Sequence, residues 1–313
     1  MITLLLIPLL LPWALPPLAR RTVDRVRPDI ALAAVTAATA ALALGVVACL
    51  GVLLLPLALH LPLVAGLAEL IHPVQAGPPA LTLGASALAA AALAVAVTVG
   101  ARGAVAEAAR LRRAHARVAG LPESDGLCVL DDDRPDAFAL PGGPRGADRI
   151  VVTAGMLRAL DVREREALLG HERAHLAARH HLFLAAAQLA GWCHPALAAV
   201  VPDVSYAAER AADEVAARAC GDRRLAARAV GRAALAATSR DAGSRRPAVA
   251  AGGTTGPVPA RVRALLVQSP VRRIALPLLV MLLVCTTAGA SSLAGAVWLH
   301  GEVEIAQGEH PWD

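Results

Sequence analysis

The chain has 313 residues, a formal net charge of +5 and a mean hydropathy of +0.56. Hydrophobic residues make up 57% of it and charged residues only 18%, against about a quarter charged in soluble domains; this excludes extended disorder and argues against a purely water-soluble protein. An aromatic content of 2% argues against base-stacking nucleic-acid modules, and because there is no Lys every fixed side-chain cation is an Arg.

A membrane helix needs about 20 mostly apolar residues. Stretches 2–19, 31–59, 81–101 and 274–299 meet that requirement and carry no acid or Arg in their interiors. The first has its positive charges after the apolar run, so it reads as a retained span, not a signal peptide, and its prolines Pro8, Pro12, Pro16 and Pro17 are tolerable kinks. Arg20, Arg21, Arg25 and Arg27 follow the first stretch, Arg102, Arg110, Arg112, Arg113 and Arg117 follow the third, and Arg261, Arg263, Arg272 and Arg273 precede the fourth. The loop 60–80 and the tail after 299 have none. The positive-inside rule then puts both termini outside and residues 102–273 in the cytoplasm of a plasma-membrane protein. The expected organisation is three spans in 1–101, a cytoplasmic domain in 102–273, a fourth span in 274–299 and a short extracellular tail in 300–313. The scattered cysteines Cys49, Cys128, Cys193, Cys220 and Cys285 form no CxxC pair, consistent with a reducing compartment.

Within the cytoplasmic part, 104–118 is predicted as a helix leaving the membrane. Residues 127–130, 137–140 and 150–153 are short strand candidates, the second ended by Pro141, Gly142 and Gly143. Asp131, Asp132, Asp133 and Asp136 read as a solvated turn. A helix over 154–160 precedes Asp161, an N-cap whose capping-box partner is Glu164, and the helix it starts is expected to run to about His181. The Gly-, Ser-, Thr- and Pro-rich segment 239–259 reads as a mobile loop.

That last helix contains Gly170-His171-Glu172-Arg173-Ala174-His175. His171 and His175, at i and i+4, share one helical face and can reach one ion, while Glu172 is displaced around the helix and free to act as a base. Two solvated histidines on a surface helix would give the same string. Downstream, however, Glu209 and Asp213 repeat the i, i+4 spacing: Glu209 as third ligand, Asp213 as the carboxylate that orients a ligand imidazole. Glu214 is the rival ligand, about 100° around the helix from Asp213. The apolar stretch 182–201 is long enough for a fifth span, but one crossing would separate Glu209 from His171 by the bilayer. It is therefore expected to be a buried or re-entrant hairpin turning near Trp192 to Pro195, with His180 and His181 interfacial or structural and His194 a turn residue.

These residues resemble the membrane zinc metallopeptidases of the BlaR/MecR antirepressor type, in the gluzincin class. The resemblance runs through Asp136-Ala137-Phe138-Ala139-Leu140-Pro141-Gly142, then Arg149-Ile150-Val151-Val152-Thr153-Ala154-Gly155-Met156-Leu157, Glu164, the His171 to His175 motif, Trp192-x-x-Pro195 and Glu209-x-x-x-Asp213. It implies a membrane α-helical protein of about four spans with a cytoplasmic α+β zincin-like domain. It also implies one Zn2+ per chain, a bilayer, a protein or peptide substrate such as a BlaI/MecI-like repressor, and no direct nucleic-acid contact. The strand of Ala137, Phe138, Ala139 and Leu140 would lie beside the cleft and pair with extended substrate. The large extracellular penicillin-binding sensor of the signalling members has no counterpart after the last span, so a β-lactam sensor is not expected. The more distant HtpX/Ste24-like membrane peptidases share the ligand pattern and imply membrane-protein quality control instead.

The mechanism expected from these residues has His171, His175 and Glu209 hold zinc, Glu172 take a proton from the attacking water and pass it to the leaving amine, and Asp213 orient a ligand imidazole. Tyr206, Arg210, Arg218 and His194 stand unranked as oxyanion donors. A non-catalytic zinc-stabilised sensor or scaffold would have no use for Glu172. A transporter would carry ionisable residues within its spans.

Overall fold

The computed structural model describes residues 7–58, 79–142, 146–238, 258–267 and 275–306. The expected 239–259 loop falls outside these residues as far as 257, as do most of the 60–80 loop, the start of the first expected span and the end of the tail.

After a 3-10 turn at Leu11–Ala14, helix α1 (Leu15–Arg25) buries Leu15, Ala19, Thr22 and Val23 and leaves Arg20, Arg21 and Arg25 exposed. That i, i+4, i+7, i+8 stripe makes α1 amphipathic; it overlaps the first expected span only at 15–19, and residues 2–6 of that span lie outside the described residues. Helices α2 (Pro28–Ala58) and α3 (Pro79–Val118) follow. Two stretches within them, Pro28–Leu54 and Ala80–Val118, are long and apolar enough to cross a membrane. The third expected span and the expected 104–118 helix are one continuous rod, because no Pro or unsatisfied cap interrupts the alanine-rich junction at Ala101 to Ala104.

A four-stranded sheet comes next: β1 (Glu123–Ser124), β2 (Leu127–Leu130), β3 (Ala137–Leu140) and β4 (Arg149–Thr153), in the order β1-β2-β4-β3. β2 runs parallel to β4 and β3 antiparallel to it. β1 pairs with β2 around Asp125 and Gly126, both at positive φ (51° and 75°), the two-residue turn that an Asp-Gly pair favours. One side of the sheet packs Cys128, Phe138, Leu140 and Val151 on Ala114 and Val118 of α3. The other packs Ala137, Ile150 and Val152 toward Met156 and Leu168. Each fully buried Leu or Val in such a core contributes about 1.5–3 kcal/mol.

The remaining helices are α4 (Ala154–Ala159), α5 (Val162–Ala177), α6 (His180–Cys193), α7 (Pro195–Ala198), α8 (Val201–Cys220), α9 (Arg223–Thr238), α10 (Val258–Leu266) and α11 (Ala275–Ala306). The capping box at Asp161 and Glu164 starts α5. The helix does not reach His181. It stops at Ala177, and Arg179 takes a left-handed conformation (φ 50°, ψ 42°) before α6 begins. Between α6 and α7 the chain turns at an extended His194 whose Nδ1 accepts from the Ala196 N–H. α11 continues past 299, to Ala306, and among the described residues its shorter apolar run is Leu276–Ser291. A single apolar core joins Leu15 and Val23 of α1, Leu32 and Leu42 of α2, Ala187 of α6, Leu197 of α7, Val204 of α8 and Met281 of α11. This cluster ties α1, α2 and α11 to α6, α7 and α8, while the sheet packs in its own clusters on either face.

Candidate metal centre

Helix α5 is held at its N-terminus by reciprocal bonds, Asp161 Oδ1 accepting from the Glu164 N–H (2.9 Å) and Glu164 Oε2 from the Asp161 N–H (3.0 Å). Arg232 of α9 adds a 2.7 Å bond to the same Glu164 oxygen. The buried face of the anchored helix carries Ala167, His171, Glu172, Ala174 and His175. α8 lies against it, close enough that a Cβ on Gly170 would sit 3.8 Å from Ala216 Cα. The His171 and His175 Nε2 atoms are 3.1 Å apart. Glu209 Oε2 is 3.5 Å from the first and Oε1 is 3.6 Å from the second. One donor atom from each of the three residues falls within 4.8 Å of the others, and all three side chains are buried. Two imidazole nitrogens and a carboxylate oxygen are a donor set that suits zinc. A further buried oxygen, Glu172 Oε2, has no hydrogen-bond partner, the kind of orphaned group expected where a metal-associated water belongs.

Arg261 of α10 closes the cluster from behind. Its Nη1 is 2.7 Å from Glu209 Oε2, while Nε and Nη2 donate to Asp213 Oδ2 and Oδ1 at 2.8 and 2.7 Å. Asp213 Oδ1 in turn lies 2.9 Å from His171 Nδ1. Burial opposes the charge on Asp213, but Arg261 and His171 outweigh it and hold the carboxyl below its usual range. Burial also disfavours a charged His171, yet Asp213 and Glu209 carry its pKa in the metal-free site up to about 10. Burial, reinforced by His171, pushes His175 well below its ordinary value. The His175 Nδ1 faces His180 Nδ1 at 2.9 Å. Burial and the nearby His171 lower His180 to about 4, which keeps that ring neutral.

Glu172 is 1% exposed. Burial pushes its carboxyl up to about 7, a rise opposed first by His171 and also by the backbone N–H of Ala139 on β3. That contact fits the register. The Thr153 N–H donates to Asp136 O, so antiparallel alternation turns the backbone groups of Phe138 and Leu140 toward β4 and those of Ala137 and Ala139 away from it, on a strand whose four residues are all buried. A cleft beside His171, Glu172 and Glu209 is walled by small apolar side chains, among them Leu168, Ala229, Val230 and Ala233.

The remaining sequence candidates lie elsewhere. Glu214 makes a bidentate pair with Arg223 at 2.6 and 2.7 Å. His194 caps α7 and stands edge-on to Trp13. Arg210 covers the Tyr206 ring and donates to Val23 O at 2.7 Å, and Arg218 is exposed. None of these four oxyanion candidates lines the cleft, whereas Arg261 does. Two site residues have other roles in the sequence reading: Arg261, counted among the topology-setting charges, and His180, read as interfacial or structural. The local sequence offers no signal for Arg261, 48 positions from its partner Asp213.

A model of peptidase family M48 matches residues 105–194, which include β3, the His171 to His175 motif and His180. The match supports a metallopeptidase of that family. It lends nothing to the BlaR/MecR resemblance or to a repressor as substrate. No solved structure matches the chain.

Proposed function

We propose that this protein is a membrane-embedded zinc-dependent endopeptidase whose catalytic groups face the cytoplasm. The observation that carries the reading is the convergence of His171, His175 and Glu209 beside a buried Glu172, within and just beyond a segment matched by a peptidase family. The Arg pattern around the apolar helices supports the cytoplasmic placement, and the length and composition of α2 and α3 support membrane insertion.

In this reading His171, His175 and Glu209 hold one zinc. Bound there, zinc supplies Lewis-acid polarisation of the scissile carbonyl and lowers the pKa of water. Glu172, the buried carboxyl beside the three ligands, would take the proton of the attacking water and deliver it to the departing amine. Asp213 orients His171, and Arg261 fixes both Asp213 and Glu209 from behind. The backbone of Ala137 and Ala139 that faces away from β4 is the side of β3 to which an extended peptide would add, the Ala139 N–H being shared with Glu172. The apolar wall of the cleft excludes water, which strengthens each of these polar contacts. A repressor as physiological substrate rests on the sequence resemblance alone.

The test is the zinc content of the full chain purified in detergent, wild type beside Glu209→Ala and Glu172→Ala. One zinc per chain, lost in the first variant and kept in the second, is expected. A folded, zinc-supplied wild type that holds none overturns the reading.

A further inference from the structure

We propose that His180 is a positioning residue for the metal centre, a neutral imidazole that takes the supporting role for His175 that a carboxylate takes for His171. The inference rests on the zinc reading above. Its geometry begins with the break in the helix. Had α5 continued, His180 would stand five positions after His175 and project from a different face. Instead Ala177 ends the helix, Arg179 adopts a left-handed conformation at φ 50° that side chains other than glycine seldom take, and α6 starts again at His180. This brings the His180 ring edge-on to His175, with centroids 4.8 Å apart, and sets the two Nδ1 atoms at 2.9 Å. Both rings are buried, at 1% and 3% exposure.

The proton inventory is then determined. For His175 to offer its Nε2 lone pair toward His171 and Glu209, its proton must sit on Nδ1. That N–H donates to His180 Nδ1, which accepts only if the His180 proton is on Nε2. The pair is therefore two neutral rings in complementary tautomers. On the other side of the site, His171 Nδ1 faces Asp213 Oδ1 at 2.9 Å, and that carboxylate is neutralised by Arg261. The two ligand imidazoles thus have supports of different charge. His180 adds orientation to His175 without adding negative charge to the centre, and the left-handed Arg179 is the local strain that puts it there.

The experiment compares wild type, His180→Phe and His180→Asn as full chains in detergent. Phenylalanine keeps the ring volume and removes the acceptor. Asparagine restores an acceptor, because its Oδ1 can occupy nearly the place of Nδ1. Zinc affinity is read by chelator competition, ligand geometry by the visible absorption of the cobalt-substituted protein, and folding by melting of the metal-free protein. The expected result is that His180→Phe melts like wild type when metal-free, binds zinc about 10–100-fold more weakly and has a shifted cobalt spectrum, while His180→Asn recovers most of both. Wild-type affinity and an unshifted spectrum in His180→Phe would overturn the proposal while leaving the metallopeptidase reading intact. Failure of His180→Asn to improve on a folded His180→Phe would overturn it equally. A wild type that binds neither metal removes both readings together.

Discussion

Arg261 and Asp213 meet through two parallel hydrogen bonds of 2.8 and 2.7 Å although 48 positions separate them in the chain. Both side chains are almost wholly buried, so each is tolerable only with the other present. Arg261→Ala leaves the buried Asp213 and Glu209 carboxylates with His171 as their remaining cationic neighbour in the metal-free protein and breaks the two-bond fork to Asp213. A loss of about 3–5 kcal/mol is expected, read as a lower melting temperature of the metal-free protein. Arg261→Lys keeps the charge but cannot form the fork, so it should fall between the two. A melting temperature of Arg261→Ala equal to wild type would show that the pair contributes nothing net.

Glu172→Gln preserves shape and removes the base. Turnover of any cleavable peptide should fall by about 10²–10⁴-fold, with zinc stoichiometry and melting temperature unchanged. Activity within a few-fold of wild type would reassign the base to another residue.

The side of β3 that faces away from β4 gives a test of substrate pairing. Ala137 is buried, but its N–H makes no bond to β4, so proline there removes no ladder hydrogen bond. Ala137→Pro is expected to raise KM for extended peptides several-fold while leaving kcat and zinc content near wild type. Equal KM values in the two proteins would remove the Ala137 N–H from substrate binding.

Asp203 provides a pH dependence away from the metal. It stands in the first turn of α8 with Oδ2 lacking a hydrogen-bond partner. Burial raises its carboxyl to about 6, with Arg20 opposing and Asp24 adding to the rise. The folded protein thus retains a proton that the unfolded chain, at the ordinary value of 3.8, releases. The stability this contributes is fully present below about pH 4 and is lost as the pH rises through about 6. Asp203→Asn should abolish that loss and raise stability at pH 7–8 by about 1 kcal/mol, after allowance for the residue's partial exposure. Melting of the zinc-saturated proteins from pH 4 to 8 reads the effect, and a constant gap between variant and wild type across that range would assign the rise elsewhere.

What could be read in advance follows the range of the interactions. His171, Glu172 and His175 are spaced by one helical repeat, and Asp161 with Glu164 by one capping box, so each group is legible in a handful of residues. The strand at Ala137 to Leu140 shows itself by its apolar run and the Pro141 that ends it. Arg261 is invisible for the opposite reason: only the tertiary meeting of α8 and α10 gives it a partner, and its neighbours suggest a membrane flank. His180 depends on a single backbone reversal at Arg179, which no propensity announces for an arginine. The short strand β1 could have been found, since Asp125-Gly126 before an apolar run is a hairpin signal.

Trp192 lies against α3 where that helix has no side chains to meet it. A Cβ on Gly100 would stand 3.5 Å from the indole Cε3, and one on Gly103 only 2.6 Å from Cε2. The indole therefore works as a key in a notch: α3 cannot slide along its axis without taking the end of α6 with it. α6, which begins at His180, is thereby keyed to α3 at its other end through Trp192.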